Sequence, residues 1–182
     1  MKETGQSMIR GVAAAESDFE VVLAALEKRN VRYLVVGGVA VVLHGYVRFT
    51  ADLDLVLALD PPNVIATIDA MTSLGYRPRA PVAFLDFADP GKRREWIRDK
   101  GLTVLGLWSP EHPATEVDIF VEEPFAIDEA LLRATRAQLG ANGITVASIP
   151  DLIELKRRAG RPRDLEDIEK LQEILAQERD HA

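Results

Sequence analysis

Residues 33–59, YLVVGGVAVVLHGYVRFTADLDLVLAL, decide the fold. Tyr33-Leu34-Val35-Val36 is a short, continuous apolar run ending in Gly37-Gly38, the pattern of a buried strand that feeds a tight turn. A helix is expected from Val39 to His44. After Gly45, the segment Arg48 to Leu59 reads as a second strand, with two acids near its start and then an apolar run of buried type. Asp52 and Asp54 stand two residues apart on that strand, so both side chains leave the same face, about 7 Å apart along the chain, while Leu53 and Leu55 point the other way. Two carboxylates this close repel, and a cation such as Mg²⁺ between them is the readiest compensation.

Outward from this core, the N-terminal side supplies one helix. Ser17-Asp18-Phe19-Glu20 has capping-box spacing, and Phe19, Val22, Leu23 and Leu26 fall on one face, so a helix is expected from about Asp18 to Arg29. Residues 1–16 read as a flexible N-terminus. On the other side, Asp60-Pro61-Pro62 stops the second strand and opens a helix carrying Val64, Ile65, Ile68 and Met71, which Gly75 ends. Between Arg77 and Lys100 the signal is weak: one strand around Phe84, then a short polar helix from Lys92. Strands are expected at Leu102 to Trp108, Glu116 to Val121 and Ile144 to Ala147, and a helix from Asp128 to Leu139. Two last helices, Pro150 to Arg158 and Arg163 to Arg179, are split by Gly160-Arg161-Pro162. The expected class is α+β, a twisted mixed sheet with helices packed mainly on one face, divided into a core at 17–148 and a C-terminal helical portion at 149–182 that closes a cleft.

Composition excludes several functions. The chain has no cysteine, which removes disulfide scaffolds, zinc–cysteine sites and thiol nucleophiles and suits a reducing cytoplasm. With 22 Lys+Arg against 29 Asp+Glu the net charge is −7, so the chain as a whole repels a polyanion, and bulk DNA binding is not expected. The opening MKETGQSMIR lacks the apolar core of a signal peptide, and no apolar stretch is long enough to span a bilayer, so the expectation is a cytoplasmic protein with no membrane partner.

A third acid, Asp118, sits among apolar neighbours in Glu116-Val117-Asp118-Ile119-Phe120-Val121, where an uncompensated charge is costly. Three carboxylates on neighbouring strands make a two-metal site able to hold a triphosphate, activate a hydroxyl and neutralise a pyrophosphate leaving group. The glycine pair adds backbone N–H groups for phosphate. Far downstream, KRRAGRPR at 156–163 concentrates positive charge with no acid among it. Its plain reading is a solvated face near a helix C-terminus; the functional reading gives Lys156 and Arg163 to nucleotide phosphates and leaves Arg157, Arg158 and Arg161 for an acceptor. Asp164 is then a partner for Arg163, and Asp167 a surface residue or a support. Trp96 can stack on a base or pack its own helix, and packing is the commoner use.

Gly37-Gly38 followed by Arg48-x-Thr50-x-Asp52-x-Asp54 resembles the signature of the DNA-polymerase-β-like nucleotidyltransferase superfamily, and Asp118 matches its third acid. SIPDLIELKRRAGRPRDLEDIEKL, at 148–171, resembles the last motif of AbiEii-type nucleotidyltransferases of toxin–antitoxin systems, with Lys156, Arg163, Asp164 and Asp167 at the matching positions. Many members have Gly-Ser where this chain has Gly37-Gly38. The resemblance implies that Asp52, Asp54 and Asp118 bind two Mg²⁺ ions, with Mn²⁺ as a substitute, and that Asp118 helps deprotonate the acceptor. It places Gly37, Gly38, Arg48, Thr50, Lys156 and Arg163 at the triphosphate of an NTP. It implies transfer of a nucleotide monophosphate to a hydroxyl of an RNA end or a protein side chain, with a cognate antitoxin as partner. Two alternatives stand beside it: modification of an aminoglycoside- or lincosamide-like antibiotic, and a catalytically silent module that binds nucleotide or a partner.

Overall fold

The apolar run at residue 33 becomes strand β1 (Tyr33–Val36), buried along its whole length, in the computed structural model, which describes residues 18–180. The expectations for residues 1–16 and for Ser17 as a cap lie outside the described residues. β1 runs antiparallel to β2 (Asp52–Leu57), and β2 runs parallel to β5 (Glu116–Phe120). β5 pairs antiparallel with β4 (Val104–Trp108), which pairs with the two-residue edge strand β3 (Arg77–Pro78). On the far side of β1 lie β7 (Asn142–Val146), parallel to it, and β6 (Thr135–Leu139), antiparallel to β7. The result is a seven-stranded mixed sheet of order β3-β4-β5-β2-β1-β7-β6.

Residue alternation sets what each face of the central strands carries. Leu53 and Leu55 of β2, Leu105 and Leu107 of β4, and Val117 and Ile119 of β5 are all 0% exposed, each contributing roughly 1.5–3 kcal/mol by leaving water. They pack into one core with Val22, Leu23 and Leu26 of α1 (Asp18–Lys28) and Val64, Ile68 and Met71 of α3 (Pro61–Ser73). The Asp60 side chain caps α3 by accepting from the Asn63 N–H, and the two prolines fill the first turn, where their missing donors cost nothing. The acids of β2 and β5 occupy the alternate positions.

α2 (Gly37–Leu43) begins at the first glycine, two residues before the expected start, because Gly37 takes φ +63 and turns the chain at once. Residues 48–51 lie before β2 and are not part of it. Around that segment Arg48 and Thr50 are half-buried while the alternate residues Val47 and Phe49 are 85% and 81% exposed.

Two other expectations fail. The segment around Phe84 is a 3₁₀ helix (Phe84–Ala88), not a strand; Phe87 stacks on Trp96 of α4 (Pro90–Lys100) with ring centroids 6.5 Å apart, so Trp96 is core. The helix expected from Asp128 to Leu139 stops as α5 (Ile127–Leu132), and its second half is strand β6. Helix-favouring residues there are overruled by the ladder to β7 across the two-residue turn Gly140-Ala141, with Gly140 at φ +57. Two helices end the fold. α6 (Ile149–Ala159) is capped by Ser148, whose hydroxyl accepts from the Asp151 N–H, and closed by Gly160 at φ +62; α7 (Pro162–Asp180) packs back on α6. Among the described residues, no helix is long and apolar enough to cross a membrane.

Candidate active site

Strand register settles where the three acids stand. Asp54 is directly opposite Asp118 on the parallel strand, and Asp52 is opposite Glu116. Hydrogen-bonded strands lie about 4.8 Å apart, so Asp54 and Asp118 are immediate neighbours on one face, with Asp52 one side-chain repeat along. The row continues outward to Gly106 on β4 and Val36 on β1.

Their surroundings penalise charge. The Asp54 carboxyl is pushed up to about 6, by burial first and then by the charges of Asp118 and Asp52, against the pull of Arg161 and of a hydrogen bond from the Gly38 N–H. Asp118 is raised too, by burial, then by Asp52 and Glu116, with Arg79 opposing. Arg79 is ion-paired with Glu116, which leaves the triad the less compensated acids on this face. The two neighbours lean apart. Asp54 turns toward α2, and a Cβ on Gly37 would overlap its Oδ2 outright and lie 2.6 Å from its Cγ. Asp118 turns the opposite way, its Oδ1 3.2 Å from where a Cβ on Gly106 would stand. Glycine is thus required at residue 37 twice, for its φ and for the carboxylate that fills the space a side chain would use.

The donors available to a cation are all carboxylate oxygens, the set that suits Mg²⁺ or Mn²⁺. Among the described residues no three acids or histidines are already drawn together tightly enough to hold an ion. Backbone register supplies the proximity, and rotation of the splayed side chains is what remains for the residues to fit a metal.

Gly38 forms the next wall. A Cβ there would lie 2.5 Å from Thr50 Oγ1 and 2.9 Å from Arg48 Nη2, so both side chains pack directly over Gly38. Beside them opens a pocket of ≈ 370 Å³ whose lining includes Gly37, Asp54, Phe120, Leu155, Lys156 and Arg161. Lys156 reaches it from α6, 6% exposed, with Nζ 2.6 Å from Asp167 Oδ2 and 3.5 Å from Asp164 Oδ1.

Of the residues singled out from sequence, the structure brings Asp52, Asp54, Asp118, Gly37, Gly38, Arg48, Thr50 and Lys156 to one region. Gly37, Asp54 and Lys156 line the pocket itself, the other five stand beside it, and Arg163, exposed on the first turn of α7, has no contact among the described residues that ties it to them. Arg161 lines the pocket instead, held by Asp164, which accepts from both its backbone N–H and its Nε at 3.0 Å. Asp164 therefore serves Arg161, not Arg163, and Asp167 is 1% exposed rather than a surface residue. Sequence reasoning had the basic segment in view but not that Arg161, with its side chain 74% exposed, would be the arginine lining the pocket. Gly106 gave no signal, since its role depends on facing Asp118.

No family model matches the sequence, and neither does any curated protein. Solved structures do. ANT(2″)-Ia in complex with adenylyl-2″-tobramycin is 16% identical, matching 88% of this chain and 89% of its own with a TM-score of 0.56. The lincosamide antibiotic adenylyltransferase LnuA, lincomycin-bound, is 19% identical over 84% of this chain and 93% of its own, with a TM-score of 0.55. At such identities the likeness is one of architecture, and it agrees with the mixed sheet and terminal helices built above: this chain has the nucleotidyltransferase fold.

Proposed function

We propose that the chain is a Mg²⁺-dependent nucleotidyltransferase that moves a nucleotide monophosphate from an NTP to a hydroxyl and releases pyrophosphate. The observation that carries this is the Asp54–Asp118 register, with Asp52 beside it and a pocket bearing Lys156 and Arg161 next to it. Divalent ions bound by Asp52, Asp54 and Asp118 would supply charge neutralisation at the triphosphate and acidify the acceptor hydroxyl. Asp118, with a carboxyl raised by burial and neighbouring acids, is suited to accept the hydroxyl proton. Lys156 and Arg161 offer cationic donors to phosphate from the C-terminal helices, which in this reading close the cleft over the core. Gly37 and Gly38 allow backbone approach, and Arg48 and Thr50 back them.

The acceptor that fits the AbiEii-like final motif is an RNA end or a protein side chain, the chain then acting as a toxin held by a cognate antitoxin. A second reading, modification of an antibiotic, is favoured by the folds of the two solved neighbours, whose ligands are an adenylylated aminoglycoside and a lincosamide. One experiment tests the activity and separates the acceptors: incubation with each α-labelled NTP, Mg²⁺ and, in parallel, total RNA, cell extract, or tobramycin and lincomycin. Wild type should label one acceptor class, and Asp54→Ala should label nothing. Undiminished labelling by Asp54→Ala would sink the proposal.

A further inference from the structure

Arg48, Lys156, Arg161, Asp164 and Asp167 form one connected charge cluster, of which Lys156, Arg161 and Asp164 line the pocket and Arg48 and Asp167 stand behind it. Asp167 is its hub. One oxygen, Oδ2, accepts from both Arg48 Nη2 at 2.9 Å and Lys156 Nζ at 2.6 Å. The other, Oδ1, is buried without a hydrogen-bond partner, and so is Arg48 Nε; among the described residues these are the two buried side-chain atoms in that condition. That coincidence has a geometric meaning. An arginine commonly grips a carboxylate with two parallel N–H donors, one to each oxygen. Here one half of such a pair is made, and the two orphans are the donor and the acceptor of the other half.

Lys156 accounts for the difference, because its shorter bond claims the oxygen that Arg48 also uses. We propose that Asp167 is a positioning residue that hands Lys156 to the phosphates of a nucleotide by turning onto Arg48, closing the side-on pair through Nε and Oδ1. The proposal rests on the nucleotidyltransferase reading above. Charge and hydrogen bonds balance through the exchange. Lys156 gives up one carboxylate and gains a phosphate oxygen, Asp167 loses the ammonium and gains a second guanidinium donor, and both orphans are satisfied. Lys156 also keeps Asp164 at 3.5 Å, so its ammonium stays tethered at the wall while it changes partner. Arg48 is then needed for its fork, which lysine lacks, as well as for its charge.

The Arg48 Nε–H reports this directly. In ¹H–¹⁵N spectra of the full chain, its signal is assigned by its loss in Arg48→Lys. Adding Mg²⁺ with tripolyphosphate should move the signal downfield and slow its exchange with water roughly tenfold or more. Mg²⁺ alone should leave it in place, and Lys156→Gln should show the displaced signal without any phosphate. The proposal is overturned if calorimetry shows tripolyphosphate bound while the Arg48 signal stays put, or if Mg²⁺ alone moves it. If wild type binds no tripolyphosphate and also labels no acceptor, the functional reading falls and this proposal with it. Should Lys156→Gln fail to fold in a melting scan, the wild-type titration decides alone.

Discussion

Gly37 and Gly101 have nearly the same backbone, φ +63 and +61, but different neighbours: Asp54 crowds the first, and nothing lies within 4 Å of the second. Gly101→Ala should therefore cost only the left-handed backbone penalty, about 1–2 kcal/mol, whereas Gly37→Ala must also displace the Asp54 carboxylate and should cost more. Paired thermal melts measure the difference, and equal losses would contradict the crowding. Asp54 itself is a stability liability in metal-free protein. Its carboxyl rises from 3.8 to about 6 on folding, so the folded chain binds that proton more tightly than the unfolded one, and stability falls as pH rises across that window. The displacement corresponds to roughly 3 kcal/mol at neutral pH. Asp54→Asn in EDTA should raise the melting temperature at pH 7 by several degrees and make little difference at pH 4. The acid pair was legible in the sequence because a two-residue spacing on a strand fixes the face. Its exposure to repulsion from Asp118 was not, since pairing of β2 with β5 is a long-range event.

At the scale of elements, α6 and α7 are fastened to the rest of the fold by buried charge. Lys156 answers two buried carboxylates, so Lys156→Ala should cost about 3–5 kcal/mol, the loss expected when a buried ion pair is halved. Urea unfolding measures it, and a loss below about 1 kcal/mol would mean the cluster is solvated. Asp164 adds an acid-sensitive component. Burial acts to raise its carboxyl, but hydrogen bonds from the Arg161 side chain and backbone, with the charges of Arg161 and Lys156, outweigh burial and hold it below 3.8. A depressed carboxyl stabilises above its unfolded value and loses that contribution as pH falls through the folded one. Wild type should thus shed stability on acidification below about pH 4, and Asp164→Asn should be weaker at pH 7 with a shallower acid limb. The break between these helices was readable from Gly160-Arg161-Pro162, whose turn chemistry is local. The split of residues 127–139 into α5 and β6 was hidden, because local propensity there favours helix and only the β7 ladder opposes it.

For the whole molecule, a ligand that binds only the folded state raises its stability by mass action. If the proposed function holds, Mg²⁺ with the correct NTP at a hundred times its dissociation constant should add about 2.7 kcal/mol, seen as a higher melting temperature that Asp52→Asn abolishes. An equal rise in the variant would place the nucleotide elsewhere. Most of the mixed α+β architecture was within reach of the sequence, and so were the residues proposed for chemistry apart from Arg161. The strands expected from 33, 48, 102, 116 and 144, the helices expected from 18, 61, 150 and 163, each within four residues of the start it takes in the fold, and the Asp52–Asp54 pair all follow from patterns a few residues long. Tertiary structure alone decided that Asp54 meets Asp118 across a parallel pair, that Gly106 leaves room beside them, that Arg161 rather than Arg163 lines the pocket, and that Asp167 is buried between Arg48 and Lys156. The physical reason is sequence separation: periodicity, caps and turns are settled by neighbours along the chain, whereas partners 64 residues apart, or 119 for Arg48 and Asp167, are chosen by how the sheet and its helices pack.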